Sequence, residues 1–401
     1  MRTLPPRLAV LSAAALIALG CRGDAGSPAD PFAADPWTLS GPDPRIGSMD
    51  DPDYIFGFIV GLAVGPDGLL YTMHWREGSI RRWTQDGAPA DSIGRMGEGP
   101  GEFEQPSGMG FFGDSLWVWD SEHYRVSYFG LDGEFLGSVS PKVDLGGRDE
   151  NPARPDRPLR DGTFVGSSPA WSEGIARGTL TESPYVRMDA DGNRLARIWT
   201  RRWEPRDVFA LLFDGGASFS SQPFGDGPMM SMDEHGFLVV DRRSWTGDGQ
   251  AVVTVTKINL DGDTLLTAAV PYDPVPLPSE RFDSAVAARV EREGDRAGRF
   301  SATESQIREA TYRPSHLPAI GGMFQADDGT IWLRRYDPVE SETGDRMNEW
   351  WILDAQGAPL ARALTPVGLS IRVISGDAVW GIERDELDVQ YMVRYRLVKD
   401  G

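Results

Sequence analysis

Two kinds of tight turn recur along this chain at near-regular spacing, each between short apolar runs. Residues 61–94, GLAVGPDGLLYTMHWREGSIRRWTQDGAPADSIG, run as apolar strand, P-D-G, apolar strand, short link, strand, D-G, strand. Residues 106–140, PSGMGFFGDSLWVWDSEHYRVSYFGLDGEFLGSVS, repeat that layout with Gly113-Asp114 at the first turn and Asp132-Gly133 at the second. Such steps suit hairpins, because Gly takes positive φ without strain and Asp tolerates it. Alternating apolar residues, as in VRYRLV near the C-terminus, mark half-buried strands. Each unit is therefore about four short antiparallel strands.

Four looser copies follow. Their turn pairs are Asp161-Gly162 with Asp191-Gly192, Glu234-His235-Gly236 with Asp261-Gly262, Asp328-Gly329 with Gln356-Gly357, and Gly376-Asp377 with Asp400-Gly401. Six four-stranded units in one chain of 401 residues predict an all-β fold, a six-bladed β-propeller spanning residues 37–401. The sixth unit stops on its second turn and lacks a fourth strand. The unassigned segment WTLSGPDPRIG, residues 37–47, is expected to pair there, closing the last blade and covering its open edge.

The stretch GRMGEGPGEFEQPSG, residues 94–108, has the glycine content of a phosphate-cradling loop. Such a loop leads into a helix and brings a lysine to the anion. This one carries Glu98, Glu102 and Glu104, has no lysine, and leads into a strand. It reads as the crossing between units one and two, with Phe103 packed between blades and Arg95 near the face where a ligand is met.

Strands a to d of a blade run outward from the axis and alternate in direction. The a–b and c–d turns share one face, and here they are the short ones. The long segments, 141–153, 167–183, 200–226, 271–316 and 337–347, all fall on the other face. Loops displayed on one side of a rigid scaffold commonly carry function. The largest, between units four and five, contains Phe282, Val286 and Val290 at helical spacing after Ser279, a candidate cap. A second short helix is expected over 302–312. This insertion is either a lid packed on the ring by its apolar face or a cover over the central channel.

Aligned second strands end in polar residues: His74, Asp120, Ser167, Asp241, Arg335 and Glu383, with Arg242, Arg334 and Arg384 beside them. Carboxylate, imidazole and guanidinium groups near one channel mouth suit a polar ligand. Each group equally suits the capping of a neighbouring turn. His123 lies in DSEHYRV beside Asp120 and Glu122 and is the His–carboxylate neighbourhood singled out as a candidate, whereas His235 sits in a tight turn on the short-turn face. The four histidines show no metal-ligand spacing and no cysteine ligand joins them, so zinc is not expected. Carboxylates and carbonyls leave calcium open as a cofactor, without a recognisable loop, and no G-x-S-x-G elbow appears.

The formal net charge of −20 opposes contact with phosphate backbones, so nucleic acid is excluded as a partner. The single cysteine, Cys21, rules out a disulfide within the chain. It ends MRTLPPRLAVLSAAALIALGC, where basic residues precede an apolar run over 8–19. That is signal-peptide anatomy, too short for a spanning helix. ALGC resembles a bacterial lipobox, although Ala18 stands where Leu is commoner. The resemblance implies a signal peptide over 1–20 and lipid on Cys21. Residues 21–36, small, polar and proline-rich, are expected to form a flexible tether.

GRMGEGPGEFEQPSG followed by LWVWDSEHYRVSYFGLDGEFLG resembles NHL-type propeller repeats. Gly97, Gly99, Gly101, Phe103, Pro106, Asp120, Arg125, Val126 and Gly133 take the places of that pattern, which fades after unit two. After the tether the whole chain resembles six-bladed propeller lipoproteins of bacteria. Some NHL-like propellers are metal-dependent lyases or lactonases, but their ligands find no residue-by-residue match here. Two functional readings follow. One is a monomeric, lipid-anchored protein of the bacterial cell envelope, facing the periplasm or the exterior. It binds a protein, glycan or small polar ligand on its loop-bearing face, through His74, Asp120, Asp241, Arg335, Glu383, Arg95 and His123. The other is a metal-assisted hydrolase or lyase at the channel mouth.

Overall fold

The D-G steps close hairpins by a shared device. Asp67, Asp132, Asp161 and Asp328, and Asp189 just ahead of the Asp191-Gly192 step, each accept, through Oδ1, the backbone N–H two residues on, at 3.0–3.1 Å. The glycines that follow Asp67, Asp132, Asp161 and Asp328 take φ of 77–86°. The computed structural model describes residues 32–75, 77–146, 152–168, 172–213, 216–242, 251–295, 302–341 and 343–399. The signal segment, Cys21, tether residues 21–31 and the final Asp400-Gly401 turn lie outside them.

The strands assemble as a ring of six antiparallel blades. Blade 1 is Ile59–Val64, Leu70–His74, Ile80–Trp83 and Pro89–Ile93. Blade 2 is Pro106–Phe112, Ser115–Asp120, Arg125–Gly130 and Phe135–Val139. Blade 3 is Arg154–Pro158, Phe164–Ser167, Glu182–Met188 and Arg194–Arg202. Blade 4 is Met229–Met232, Gly236–Asp241, Ala251–Asn259 and Thr264–Tyr272. Blade 5 is Ile320–Gln325, Ile331–Arg335, Arg346–Leu353 and Pro359–Pro366, with Val339–Glu340 added beside its third strand. Blade 6 supplies Ser370–Ser375, Ala378–Arg384 and Gln390–Val398.

The fourth position of blade 6 is filled from the other end of the chain. Thr38–Ser40 and Arg45–Ile46 both pair antiparallel with Gln390–Val398, as the unassigned segment predicted. Trp37 first bridges Ala363 in blade 5. Packing begins earlier still, inside the stretch read as tether. Phe32 is 2% exposed and stacks on Trp351, ring centroids 5.2 Å apart and 6° from parallel.

Strand alternation sends side chains to the two faces of each sheet. In this ring those faces are the seams between blades, and every seam holds an apolar cluster. Leu70, Trp83, Trp380 and Met392 join blade 6 to blade 1. Tyr71, Phe103, Leu116 and Phe129 join blades 1 and 2. Four further clusters complete the circuit. Burying one large apolar side chain stabilises by about 1.5–3 kcal/mol, so closure of the ring rests on the seams.

The long connections carry structure of their own. Three helices are described, α1 (Ser172–Ala176), α2 (Ser279–Asp295) and α3 (Glu304–Ala310), together with a hairpin of Val208–Phe213 and Gly216–Ser221. Thr303 caps α3 through a capping box with Gln306. Ser279 is the first residue of α2 rather than its cap, and its Oγ accepts from Arg313. Phe282 and Val286 bury against Phe209, Leu211, Phe224 and Ile307. The insertion is thus seated on the 208–221 hairpin by its apolar face.

Candidate functional site

The second strand of each blade ends at the loop-bearing face, but its last side chain points into a seam. In blade 1, Leu70 packs toward blade 6 and His74 follows it on the same face. His74 is fully buried, with Nε2 2.9 Å from Thr72 Oγ1, Nδ1 3.4 Å from Glu77 Oε1 and the Phe56 ring at 5.6 Å. Burial, and then the Arg81 charge, push its pKa down to about 4. Arg335 lies over Trp351 at 4.6 Å and 3.7 Å from Glu349, within blade 5. Glu383 accepts from the Tyr395 hydroxyl at 2.5 Å, within blade 6. Asp241 lines a cleft between blades 3 and 4. Ser167 is turned to the opposite face from Phe164 and donates to Asp156 at 2.9 Å.

Asp120 and His123 are brought together. The Asp120 carboxylate is fully buried and accepts the amides of Glu104, Gln105 and Glu122 at 3.0–3.2 Å and His123 Nδ1 at 2.7 Å. Burial works to raise its pKa, but the His123 bond and the amides of Gln105 and Glu104 outweigh burial and hold it below the usual carboxylate range. An ionised carboxylate only accepts, so Nδ1 carries the hydrogen and Nε2 is turned toward Glu104, 3.5 Å away. Ligand atoms of Glu98, Glu104 and His123 lie within 4.8 Å of one another.

The glycine-rich crossing builds this nook. Gly94 has φ 74°, and a Cβ there would collide with the Phe103 ring. Phe103 is fully buried in the seam between blades 1 and 2. Arg125 reaches back to the carbonyls of Glu98, Gly99 and Glu102, fixing the loop on blade 2. Arg95, 81% exposed, pairs with Glu102 at 2.7 Å.

Two cavities open beside blade 3. One, about 680 Å³, lies in the seam with blade 4 and is lined by Glu182, Trp199, Arg202, Glu204, Asp241 and Thr254 among others. The second, about 470 Å³, is walled by innermost strands of blades 2, 3 and 4 and includes Met109, Asp156, Tyr185 and Met230. Asp156 escaped the sequence reading. RPDRP, residues 154–158, lacks apolar alternation, and only a charged residue between prolines in a first-strand position hinted at it. Burial raises its carboxyl to about 6, with the Ser167 bond and Arg157 opposing.

No protein-family model matches the chain, and no curated protein matches it. Solved structures to which it is similar include a member of the DUF4221 family from Bacteroides vulgatus, at 11% identity and TM-score 0.44, covering 90% of this chain and 98% of that one. A gluconolactonase from Xanthomonas campestris aligns at 13% identity and TM-score 0.39, over 94% and 100% of the two chains. A virginiamycin B lyase from Staphylococcus aureus aligns at 10% identity and TM-score 0.39, over 90% and 100%. Likeness at this level bears on no ligand and no reaction.

Proposed function

We propose that this chain is a lipid-anchored, extracytoplasmic binding protein that takes a small polar ligand, such as a glycan fragment, on its loop-bearing face. The cleft between blades 3 and 4 carries the reading. Its volume of about 680 Å³ is that of a ligand pocket. Trp199 offers an apolar wall, while Glu182, Arg202, Glu204 and Thr254 offer hydrogen-bonding groups of both kinds. Aromatic face with carboxylate and guanidinium is the chemistry that holds a ring bearing hydroxyls. A glycan array probed with the purified protein tests this. Binding that weakens at least tenfold in Glu182→Gln and Arg202→Gln supports the reading, and binding indifferent to both removes the cleft from it. The anchor is tested by labelled palmitate, incorporated by the native chain and absent from Cys21→Ser.

A metal-assisted hydrolase or lyase is the second reading, favoured by the three ligand atoms at Glu98, Glu104 and His123. A carboxylate bound to the far ring nitrogen of a histidine orients it as metal sites require, and Asp120 stands so to His123. Stoichiometric metal in the purified protein, lost in His123→Gln, supports this reading, and a metal-free protein under metal-replete growth ends it.

A further inference from the structure

Exposed apolar side chains are spread thinly over most of this ring. Leu136, Leu195, Leu265 and Leu360 each sit on the outermost strand of a different blade, as is ordinary for a protein surface. The loop-bearing face where blades 6 and 1 meet is different. Phe58 and Trp75, 48% and 47% exposed, are the exposed Phe and Trp side chains among the described residues. Their rings are in contact, with centroids 6.3 Å apart and planes at 74°, and the Trp75 amide donates to the Phe58 carbonyl at 2.9 Å. Phe58 immediately precedes the first strand of blade 1 and Trp75 immediately follows the second, so both stand at the loop-bearing end of that blade.

Further exposed apolar groups border this pair. Leu387 projects from the turn that Asp385 ties through the amides of Leu387 and Val389. Arg384 joins that turn to the pair, lying 5.2 Å from the Phe58 ring and pairing with Asp388. Exposed Ile55 is held by its carbonyl, which accepts from Arg81 at 3.1 Å. Exposed Met96 passes close to Gly78, where an added Cβ would stand 2.7 Å from the Met96 Cα. Contiguous exposed apolar groups of this kind mark interaction surfaces. The rim is acidic. Asp50, Asp51 and Asp53 lie on the segment leading to Ile55, Glu77 approaches Gly57, and Glu386 flanks Leu387. Among the described residues no cation pairs with Asp50, Asp51, Asp53 or Glu386, and Arg81 is engaged by the carbonyls of Asp53 and Ile55. An apolar centre holding aromatic rings within a charged rim is the anatomy of a protein interface.

We propose that this surface docks a cationic segment of another protein, one that carries lysine or arginine beside leucine or aromatic side chains. Its apolar groups cover Phe58, Trp75 and Leu387, and its cations face Asp50, Asp53 and Glu386. Charge selects this occupant over the alternatives. An anionic bilayer meets repulsion from the rim, and a second copy of this chain brings the same negative charge to it. The surface is separate from the cleft between blades 3 and 4, and neither depends on the other.

Fluorescence anisotropy of a labelled amphipathic peptide of leucine and lysine, added to the full-length protein, tests it. The peptide binds at least tenfold more tightly than controls in which glutamate replaces lysine or serine replaces leucine. Phe58→Ser combined with Leu387→Ser leaves the charge unchanged and weakens binding at least tenfold. Leu195→Ser combined with Leu265→Ser, at exposed apolar positions of outermost strands, leaves it unaltered. Asp50→Asn combined with Glu386→Gln weakens it at least threefold in low salt, a loss that shrinks in high salt. All three variants keep the wild-type melting temperature, since every side chain replaced is exposed. Absence of binding overturns the proposal, as does binding unchanged in the Phe58→Ser and Leu387→Ser protein. Two other results also overturn it: co-sedimentation with phosphatidylglycerol vesicles that this variant loses while keeping the peptide assigns the surface to a membrane, and self-association lost in the same way assigns it to a second copy.

Discussion

Asp120 Oδ2 and His123 Nδ1 lie 2.7 Å apart across the turn that leaves the second strand of blade 2. The same carboxylate holds the amides of Glu104 and Gln105, so one buried charge ties the crossing from blade 1 onto blade 2. Asp120→Asn puts an amide N–H₂ where acceptors are needed and leaves amides unmet. Bonds to a charged group are worth roughly 1.5–3 kcal/mol each, and a loss of about 3 kcal/mol in urea denaturation is expected. The depressed carboxyl pKa adds a sign. Its stabilisation is present above the unfolded value near 4 and fades as pH falls through the folded one. The Asp120→Asn protein lacks that acid limb. A variant as stable as wild type would falsify the tying role.

His74 predicts the opposite kind of group. Its folded pKa, near 4, lies below the ordinary 6.5, so the unfolded chain takes the proton first. Stability is therefore full above pH 6.5 and is lost as pH falls toward 4, by roughly 3 kcal/mol over that window. Glu77, whose pKa is raised by burial, works against this in acid. Comparison with His74→Gln isolates the histidine: the variant's denaturation midpoint should change less between pH 7 and 4.5. Equal changes in both proteins would rule the histidine out.

The blades were legible because a D-G turn between alternating strands is a local signal that needs no partner. The same signal misleads when strands pair only with each other. The 208–221 hairpin has alternation and a D-G step at Asp214-Gly215, yet stands outside every blade, within the 200–226 connection. The polar strand ends are legible in the sequence, but the direction of each side chain follows from alternation within the folded blade. The last residue of a second strand sits on a sheet face, and sheet faces here are seams, so His74, Arg335 and Glu383 serve their own blades. Asp156, which a bulge leaves out of the blade 3 ladder, was illegible for a different reason. A bulge is a property of two paired strands, and neither strand announces it alone.

Phe32 on Trp351 gives a prediction about where the folded unit starts. The stacked ring is buried in the seam between blades 4 and 5, and Arg362 reaches the Ala34 carbonyl at 3.0 Å. Phe32→Ala should cost about 3 kcal/mol, the usual range for a buried Phe. A chain begun at residue 37 should lose a similar amount. If denaturation midpoints of both match wild type, residues 32–36 are tether after all.

Ile46 tests the closure itself. It pairs with Met392 at the outer edge of blade 6, is 3% exposed, and packs in the seam with blade 1 beside Phe56 and Trp83. It thus serves twice, covering an edge and filling the last seam. Ile46→Ala removes the filling and leaves the backbone pairing, with an expected loss of about 2–4 kcal/mol and no change in assembly state from wild type. Deleting 37–47 removes both, exposing the unpaired edge of Gln390–Val398. An open apolar edge recruits other chains, so light scattering after size exclusion should show association for the deletion alone. Association by both variants would assign the effect to instability rather than to the edge. A deletion that keeps the wild-type assembly state and stability would show that the ring closes without its N-terminal strand.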